Sequence, residues 1–370
     1  MKIARITVYQ ITLPLEHPYR LSGGRLLFEK LDSTIVKIQT NEDAVGWGEA
    51  CPWGSTYLPA FGKGVRAGIE EIAPQLIGQD PCKLDVINRV MDRALPAHPY
   101  VKSALDIACW DILGKTTGFA LCDLLGGRRD EPVGLHSSIP TGTPDEMVKS
   151  VDAARAKGYR VHSCKVGGSD VYADIKRIKI LTDKFGQCDE LTFDANRAWL
   201  SDEAIQVMNA TASFSAYFEQ PCETFDECLT VRRLTRQPMI LDECIHIFQD
   251  VVRAHQEHAC QVISIKLNRL GGLTKARRIR DFCVTMGLRT IIEDTGGSVL
   301  ADTAAVHLAQ STPITHHRAT WLCHDMITVD IAPGQGARNT AGVTAAPFEP
   351  GIGVEPDVQV LGEPVAIFGG

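Results

Sequence analysis

Six ionisable residues punctuate the middle of this chain at nearly constant intervals, and that spacing restricts the available folds more than any other feature. Lys165, Asp194, Glu219, Asp242, Lys266 and Asp294 stand 29, 25, 23, 24 and 28 residues apart. Each closes a short apolar run, at residues 161–166, 191–194, 217–219, 239–242, 262–267 and 290–294, and a helical stretch follows each run. Similar runs lie at 134–139 and near 314–320. Strand and helix alternating at this interval predict parallel strands joined by right-handed crossovers. Seven or eight such units suit a closed barrel better than an open sheet. No GxGxxG follows the first strand to favour a doubly wound sheet. Each polar residue then ends its strand, so all six are predicted to face the mouth where barrel active sites are built.

The flanks of this repeat read differently. Residues 1–50 carry two strand-like runs, 3–12 and 34–39, with Gly23 and Gly24 in the loop between them. From Val65 to Leu125 the pattern is helical, with Leu105, Ala108, Cys109 and Ile112 on one face. Gly126-Gly127 and then Pro132 end that block. The boundaries predicted are 1–127 for a first domain, joined by the returning C-terminal segment 331–370, and 128–330 for the barrel.

Composition removes several function classes. The net charge of −7 and the lack of a dense Lys/Arg run argue against a nucleic-acid surface. No window approaches 18 uninterrupted apolar residues, so no membrane partner is expected. The start of the chain alternates like a strand and lacks a signal peptide's apolar run. The 12 cysteines are scattered without a CxxC pair, which predicts reduced thiols and a cytoplasmic location. A symmetric homo-oligomer is the default expectation.

Asp194, Glu219 and Asp242 place three carboxylates on consecutive strands. Converging without counter-charge they would raise one another's pKa, and a divalent cation resolves the repulsion. Oxygen-only ligation points to Mg²⁺ rather than Zn²⁺. Lys165 and Lys266 follow apolar residues on strands predicted to lie on opposite sides of the barrel. Burial and a nearby cation are expected to depress their amines enough for acid–base work at neutral pH. Such a site would remove the proton alpha to a carboxylate, with the metal holding that carboxylate and stabilising an enediolate.

The segments Asp194-Ala-Asn, Glu219-Gln-Pro, Asp242-Glu and Ile-Lys266-Leu-Asn-Arg-Leu-Gly-Gly together resemble the enolase superfamily, in its muconate lactonizing enzyme-like subgroup, over essentially the whole chain. The resemblance implies an α/β fold, a modified (β/α)7β barrel under an α+β capping domain, with Mg²⁺ on the three carboxylates. Most of that subgroup carries Lys-x-Lys on the second barrel strand, whereas this chain has Ser163-Cys164-Lys165. Without a like-charged neighbour Lys165 holds its proton more readily, which favours it as the acid, although the sequence does not order the two lysines.

The substrate-binding candidates are Trp53, Tyr57, Asp294, Thr295 and Trp321. Tyr57 and Trp321 resemble the aromatics that pack around the ammonium of proline betaines in the subgroup's 2-epimerases, through cation–π attraction. Trp53 by itself reads as part of a hydrophobic lid, and Asp294 is expected to add a charged partner. A cyclic amino acid is the expected substrate. The Ser-x-Lys form resembles the superfamily's cis-3-hydroxy-L-proline dehydratases, which implies elimination of water to give Δ1-pyrroline-2-carboxylate. The alternatives are a proline betaine or 4-hydroxyproline betaine 2-epimerase, an acid-sugar dehydratase and a non-catalytic metal-binding relative. Asn196, Glu243 and Ser163 are expected to orient the ligands and Lys165. His136 and His162 are read as structural, and His316, His317 and His324 lack an Asp partner at the family spacing. Gly296-Gly297-Ser298 reads equally as an anion site of backbone N–H groups or as a plain strand-to-helix turn.

Overall fold

A computed structural model describes residues 1–24, 26–168 and 170–370. The first sheet has strands β1 (Ile3–Leu21), β2 (Leu26–Thr40) and β3 (Val45–Ala50). The hairpin β1–β2 is far longer than the runs 3–12 and 34–39. Its alternation is interrupted by the exposed residues 16–18, where the register shifts between Pro14 and Tyr19, so the sequence period breaks although pairing resumes at Tyr19–Phe28. The tip of that hairpin, Ser22–Gly24, reaches the barrel, where the Ser22 hydroxyl donates to the Asn196 carbonyl at 2.8 Å.

Helices α1 (Gly62–Leu76), α2 (Leu84–Ala94) and α3 (Pro99–Thr117) follow. α3 is buried almost all round and packs directly on β3. A Cβ at Gly46 or Gly48 would fall 2.1 Å from the Ala108 carbonyl or 2.0 Å from that of Ala104, so only glycine permits this approach.

The barrel strands are β5 (His136–Ile139), β6 (Val161–Lys165), β7 (Glu190–Asp194), β8 (Tyr217–Glu219), β9 (Met239–Leu241), β10 (Val262–Lys266), β11 (Arg289–Glu293) and β12 (His317–Ala319). They form one eight-stranded sheet in chain order, each neighbouring pair parallel. A parallel bridge from Leu135 to Thr320 joins its two edges. An α-helix crosses between each pair of strands, and among the described residues only a short 3₁₀ turn, Cys323–Met326, follows β12 before the chain leaves the barrel, giving the (β/α)7β form. The run 134–139 divides, because β4 (Val133–Gly134) turns away to pair antiparallel with β13 (Val343–Thr344).

The C-terminal segment is correspondingly shared. β13 serves the barrel, whereas β14 (Ala366–Gly369) pairs antiparallel with β1. Two buried carboxylates tie the first domain to the second. Asp106 of α3 accepts from the Thr274 amide and hydroxyl at the start of a barrel helix. Glu49 of β3 accepts from the Ser298 amide and hydroxyl and the Ala301 amide at the start of another. The turn at Gly296–Ser298 is therefore already satisfied by protein. Among the described residues all twelve cysteines are free, and no helix is long and apolar enough to cross a membrane.

Candidate active site

Parallel register sets the order of groups around the barrel mouth. Lys165 pairs with Asp194 and Asp194 with Glu219, so three ionisable side chains stand side by side on β6, β7 and β8. Lys266 pairs with Glu293 in the same way on β10 and β11. β6 and β10 lie four strands apart in a sheet of eight, which puts the two lysines on opposite walls. Between them opens a small cleft, lined by residues of both the barrel and the first domain. Tyr19, Leu21, Trp53 and Tyr57 of the first domain roof it, and Thr295 and Trp321 line it from the barrel.

Each lysine is held by carboxylates. Lys165 donates to Asp194. Lys266 stands 2.9 Å from Asp242 and 3.5 Å from Glu293, and Arg269 stands 2.7 Å from the other Asp242 oxygen. Burial alone would depress the Lys165 ammonium, but the charges of Asp194, Tyr19 and Glu219 outweigh it and hold its pKa above that of an ordinary lysine. For Lys266 the same contest is won by Asp242, Tyr57 and Glu293. Without a cation both amines are therefore held charged, because each has a carboxylate counter-ion within contact distance, and the expected depression depends on a cation engaging those carboxylates. Burial would raise Asp242, yet Arg269 and Lys266 hold its carboxyl below the usual range.

Glu219 is the exception. It is buried, and among the described residues its carboxylate has no hydrogen-bond or ion-pair partner, so desolvation and then the charges of Asp194 and Asp242 push its pKa well up. Among the described residues no three acidic, His or Cys side chains stand as a ready-made metal cage. The donor set nonetheless suits a hard cation. It offers oxygen alone, from consecutive strands, around a buried carboxylate that makes no direct ion pair among the described residues.

The supporting residues form a network back to the roof. The Asn196 amide donates to Asp194 at 2.8 Å and its side-chain amide to Glu243 at 3.1 Å. The Tyr57 hydroxyl donates to the same Glu243 oxygen at 3.0 Å, while Arg197 stacks 5.5 Å over the Tyr57 ring. Burial first, then Asp242 and Asp194, pushes the Glu243 carboxyl up to about 7. Trp53 and Trp321 stand 6.0 Å apart, and Tyr19 and Phe28 meet Trp53 edge-on. The Trp53 indole N–H is buried without a partner among the described residues.

Asp294 is not where the sequence reading put it. Its carboxylate accepts from the Asn268 amide and side chain and from the Thr295 amide, and it does not line the cleft. The strand's inward position belongs to Glu293, which meets His136 Nε2 at 2.8 Å. Successive strand residues point to opposite faces, but the run around Glu293-Asp294 is apolar on both faces, so no alternation sets its phase. We expect Glu293→Gln to raise KM several-fold with little effect on stability, and Asp294→Asn chiefly to lower Tm. Steady-state kinetics and thermal melts on the two variants separate these outcomes.

His136 lines the cleft instead of serving as bare scaffold, whereas His162 is buried outside it, bonded to Ser137 and Asp189. His324 does have an aspartate, Asp302 at 2.7 Å, but the pair stands outside the cleft lining. Tyr19, Ser138 and Arg269 were not singled out from sequence. Tyr19 lies beyond the break in the β1 alternation, and an isolated serine in a short strand carries no pattern.

A lid domain over a (β/α)7β barrel with two opposed, carboxylate-bound lysines defines a class of barrel enzymes that move protons on a small substrate. Residues 4–126 match the mandelate racemase / muconate lactonizing enzyme N-terminal domain, and residues 146–360 match the enolase C-terminal domain-like model. The chain belongs to the enolase superfamily. It is 44% identical to the cis-3-hydroxy-L-proline dehydratase of Roseibium aggregatum over the full length of both. It is 31% identical to a hydrophobic dipeptide epimerase of Enterococcus faecalis, covering 84% of this chain and 87% of that one. An enolase superfamily member from Roseovarius nubinhibens ISM, solved in complex with magnesium, superposes with a TM-score of 0.96 at 51% identity over 100% of both chains. A mandelate racemase/muconate lactonizing enzyme from the same organism gives 0.95 at 34%, over 100% of this chain and 98% of that one.

Proposed function

We propose that this chain dehydrates cis-3-hydroxy-L-proline, with Mg²⁺ on Asp194, Glu219 and Asp242 and with Lys266 and Lys165 as base and acid. The observation that carries the reading is the pair of lysines facing each other across one small cleft. In this substrate the hydroxyl lies on the carboxylate's face of the ring, so the α-hydrogen lies on the other. Elimination then needs a base on one side and an acid on the other. The 44% identity to the Roseibium dehydratase supports the same substrate.

When bound, Mg²⁺ would supply positive charge for the substrate carboxylate as the α-carbon loses its proton. Lys266 as the neutral amine takes that proton, and the electron pair left behind forms the Cα–Cβ double bond. Lys165 as the ammonium donates a proton to the departing hydroxyl, which leaves as water. The enamine then tautomerises to Δ1-pyrroline-2-carboxylate. The amines reset by proton exchange with solvent. Trp53 and Trp321 present aromatic surface to the ring nitrogen, and Glu293 offers it a carboxylate.

The test is incubation with cis-3-hydroxy-L-proline and Mg²⁺, followed by an assay for the cyclic imine. Imine formation that stops on chelation is expected. A second reading, α-epimerisation of a cyclic betaine, is favoured by the same opposed lysines, which suit delivery of a proton to either face. Deuterium entering Cα of a betaine from D₂O, with no imine from hydroxyproline, would replace the first reading by the second.

A further inference from the structure

The Lys165 wall carries hydroxyl groups that the proposed chemistry has not yet used. Ser138 and Ser163 are register partners on β5 and β6, so their side chains project from neighbouring strands to the same face. Both line the cleft. Ser163 lies two residues before Lys165 on β6, hence on the same face and one pleat deeper. Tyr19 descends from the roof to meet the Ser138 hydroxyl and lines the same cleft as Lys165.

Ser163 stands out among them. It is 3% exposed, and its hydroxyl has no hydrogen-bond partner among the described residues. A buried hydroxyl that lacks a partner costs free energy, and such groups in native proteins are ordinarily satisfied by something. The opposite wall carries the Lys266–Glu293 ion pair, and Glu293 in turn is hydrogen-bonded to His136 of β5. The hydroxyls of Ser138, Ser163 and Tyr19 thus gather on the Lys165 side of the cleft.

We propose that Ser163, with Ser138 and Tyr19, forms a subsite that holds the substrate's ring hydroxyl beside Lys165. This rests on the dehydratase reading and goes beyond it by naming what selects a hydroxylated ring. Ser163 and the substrate hydroxyl each satisfy the other. The bond fixes the C–O bond toward the Lys165 ammonium, so the leaving oxygen accepts its proton as C–O breaks. A ring without a hydroxyl leaves Ser163 unsatisfied and is bound less well. The serine in place of a lysine is then a specificity element for the leaving group.

The test is the partition of a single reaction. With cis-3-hydroxy-L-proline, Mg²⁺ and D₂O, each enzyme is scored for imine formed and for deuterium entering Cα of the recovered substrate. Elimination needs the leaving group positioned, whereas return of a deuteron to Cα does not. The ratio of imine to returned deuterium is expected to fall on the order of tenfold in Ser163→Ala, the worth of about one hydrogen bond, and to recover in Ser163→Thr. A general loss of folding would lower both readings together and leave their ratio unchanged. An unchanged ratio in Ser163→Ala overturns the subsite, and so does an equal fall in the Ala and Thr variants. If the wild-type enzyme makes no imine, the dehydratase reading fails and the subsite with it. An active wild type with an indifferent Ser163→Ala variant overturns the subsite alone.

Discussion

Lys266→Ala is expected to cut imine formation from cis-3-hydroxy-L-proline by about 10²–10⁴-fold, the usual contribution of a positioned acid or base. Incorporation of deuterium at Cα should fall with it, because the variant lacks the group that takes the proton. Lys165→Ala should instead slow elimination more than exchange. The Lys266 variant is the cleaner experiment for an electrostatic reason. Removing Lys266 leaves Asp242 with Arg269 at 2.7 Å and Glu293 with His136 at 2.8 Å, so neither buried carboxylate loses its last partner. The structure also gives the sign of the pH dependence. With Asp242 and Glu293 beside it the Lys266 ammonium is held charged, and only the neutral amine accepts a proton. The rate of proton abstraction should therefore rise with pH on its acid limb, and engaging Asp242 with a cation should move that limb to lower pH. Turnover unaffected by the substitution would remove Lys266 from the mechanism. Exchange lost in Lys165→Ala but kept in Lys266→Ala would exchange the two roles.

The barrel was legible because its inward residues end strands at regular intervals, and a charged residue in an apolar run has few structural uses. Lys165, Asp194, Glu219, Asp242 and Lys266 each occupy such a position, and the structure brings all five to one end of the barrel. What the sequence hid depends on phase and on distance along the chain. Glu293 and Asp294 are adjacent acids ending one strand, and a buried parallel strand gives no alternation to say which one faces inward. The roof was hidden for another reason. Tyr19 reaches the cleft only because β1 continues past a register shift that erases its period. Trp53 and Tyr57 were legible as aromatics in a turn, but not the engagement of Tyr57 by Arg197 and Glu243. Both partners are more than a hundred residues away in sequence, where local pattern carries no information.

Glu219→Gln is expected to move stability and metal response in opposite directions, and that opposition makes it the sharpest test of the cation site. In the metal-free protein the Glu219 carboxylate is buried, unpaired among the described residues and flanked by two other carboxylates. Its folded pKa is raised above the unfolded carboxyl value, so ionising it disfavours the folded state. That penalty is absent at low pH and grows as pH rises above about 4.3, the ordinary glutamate value. Glutamine keeps the shape without the charge. Metal-free Glu219→Gln should therefore melt above the metal-free wild type at neutral pH, and the gap should close as pH falls toward 4. The glutamine amide remains a buried polar group, so the gain comes from the removed charge alone. Mg²⁺ should reverse the ranking. A ligand that binds only the folded state stabilises it by about 2.7 kcal/mol at a hundred times its Kd, so the wild type should gain Tm as Mg²⁺ is titrated. The variant, with one ligand weakened and the central charge removed, should gain little, and imine formation should be lost. Thermal melts across pH 4–8, with and without Mg²⁺, read the stability and metal responses without relying on activity. A variant that melts below the wild type without metal, yet still gains Tm with Mg²⁺, would mean that protein groups already satisfy Glu219 and that the cation binds elsewhere.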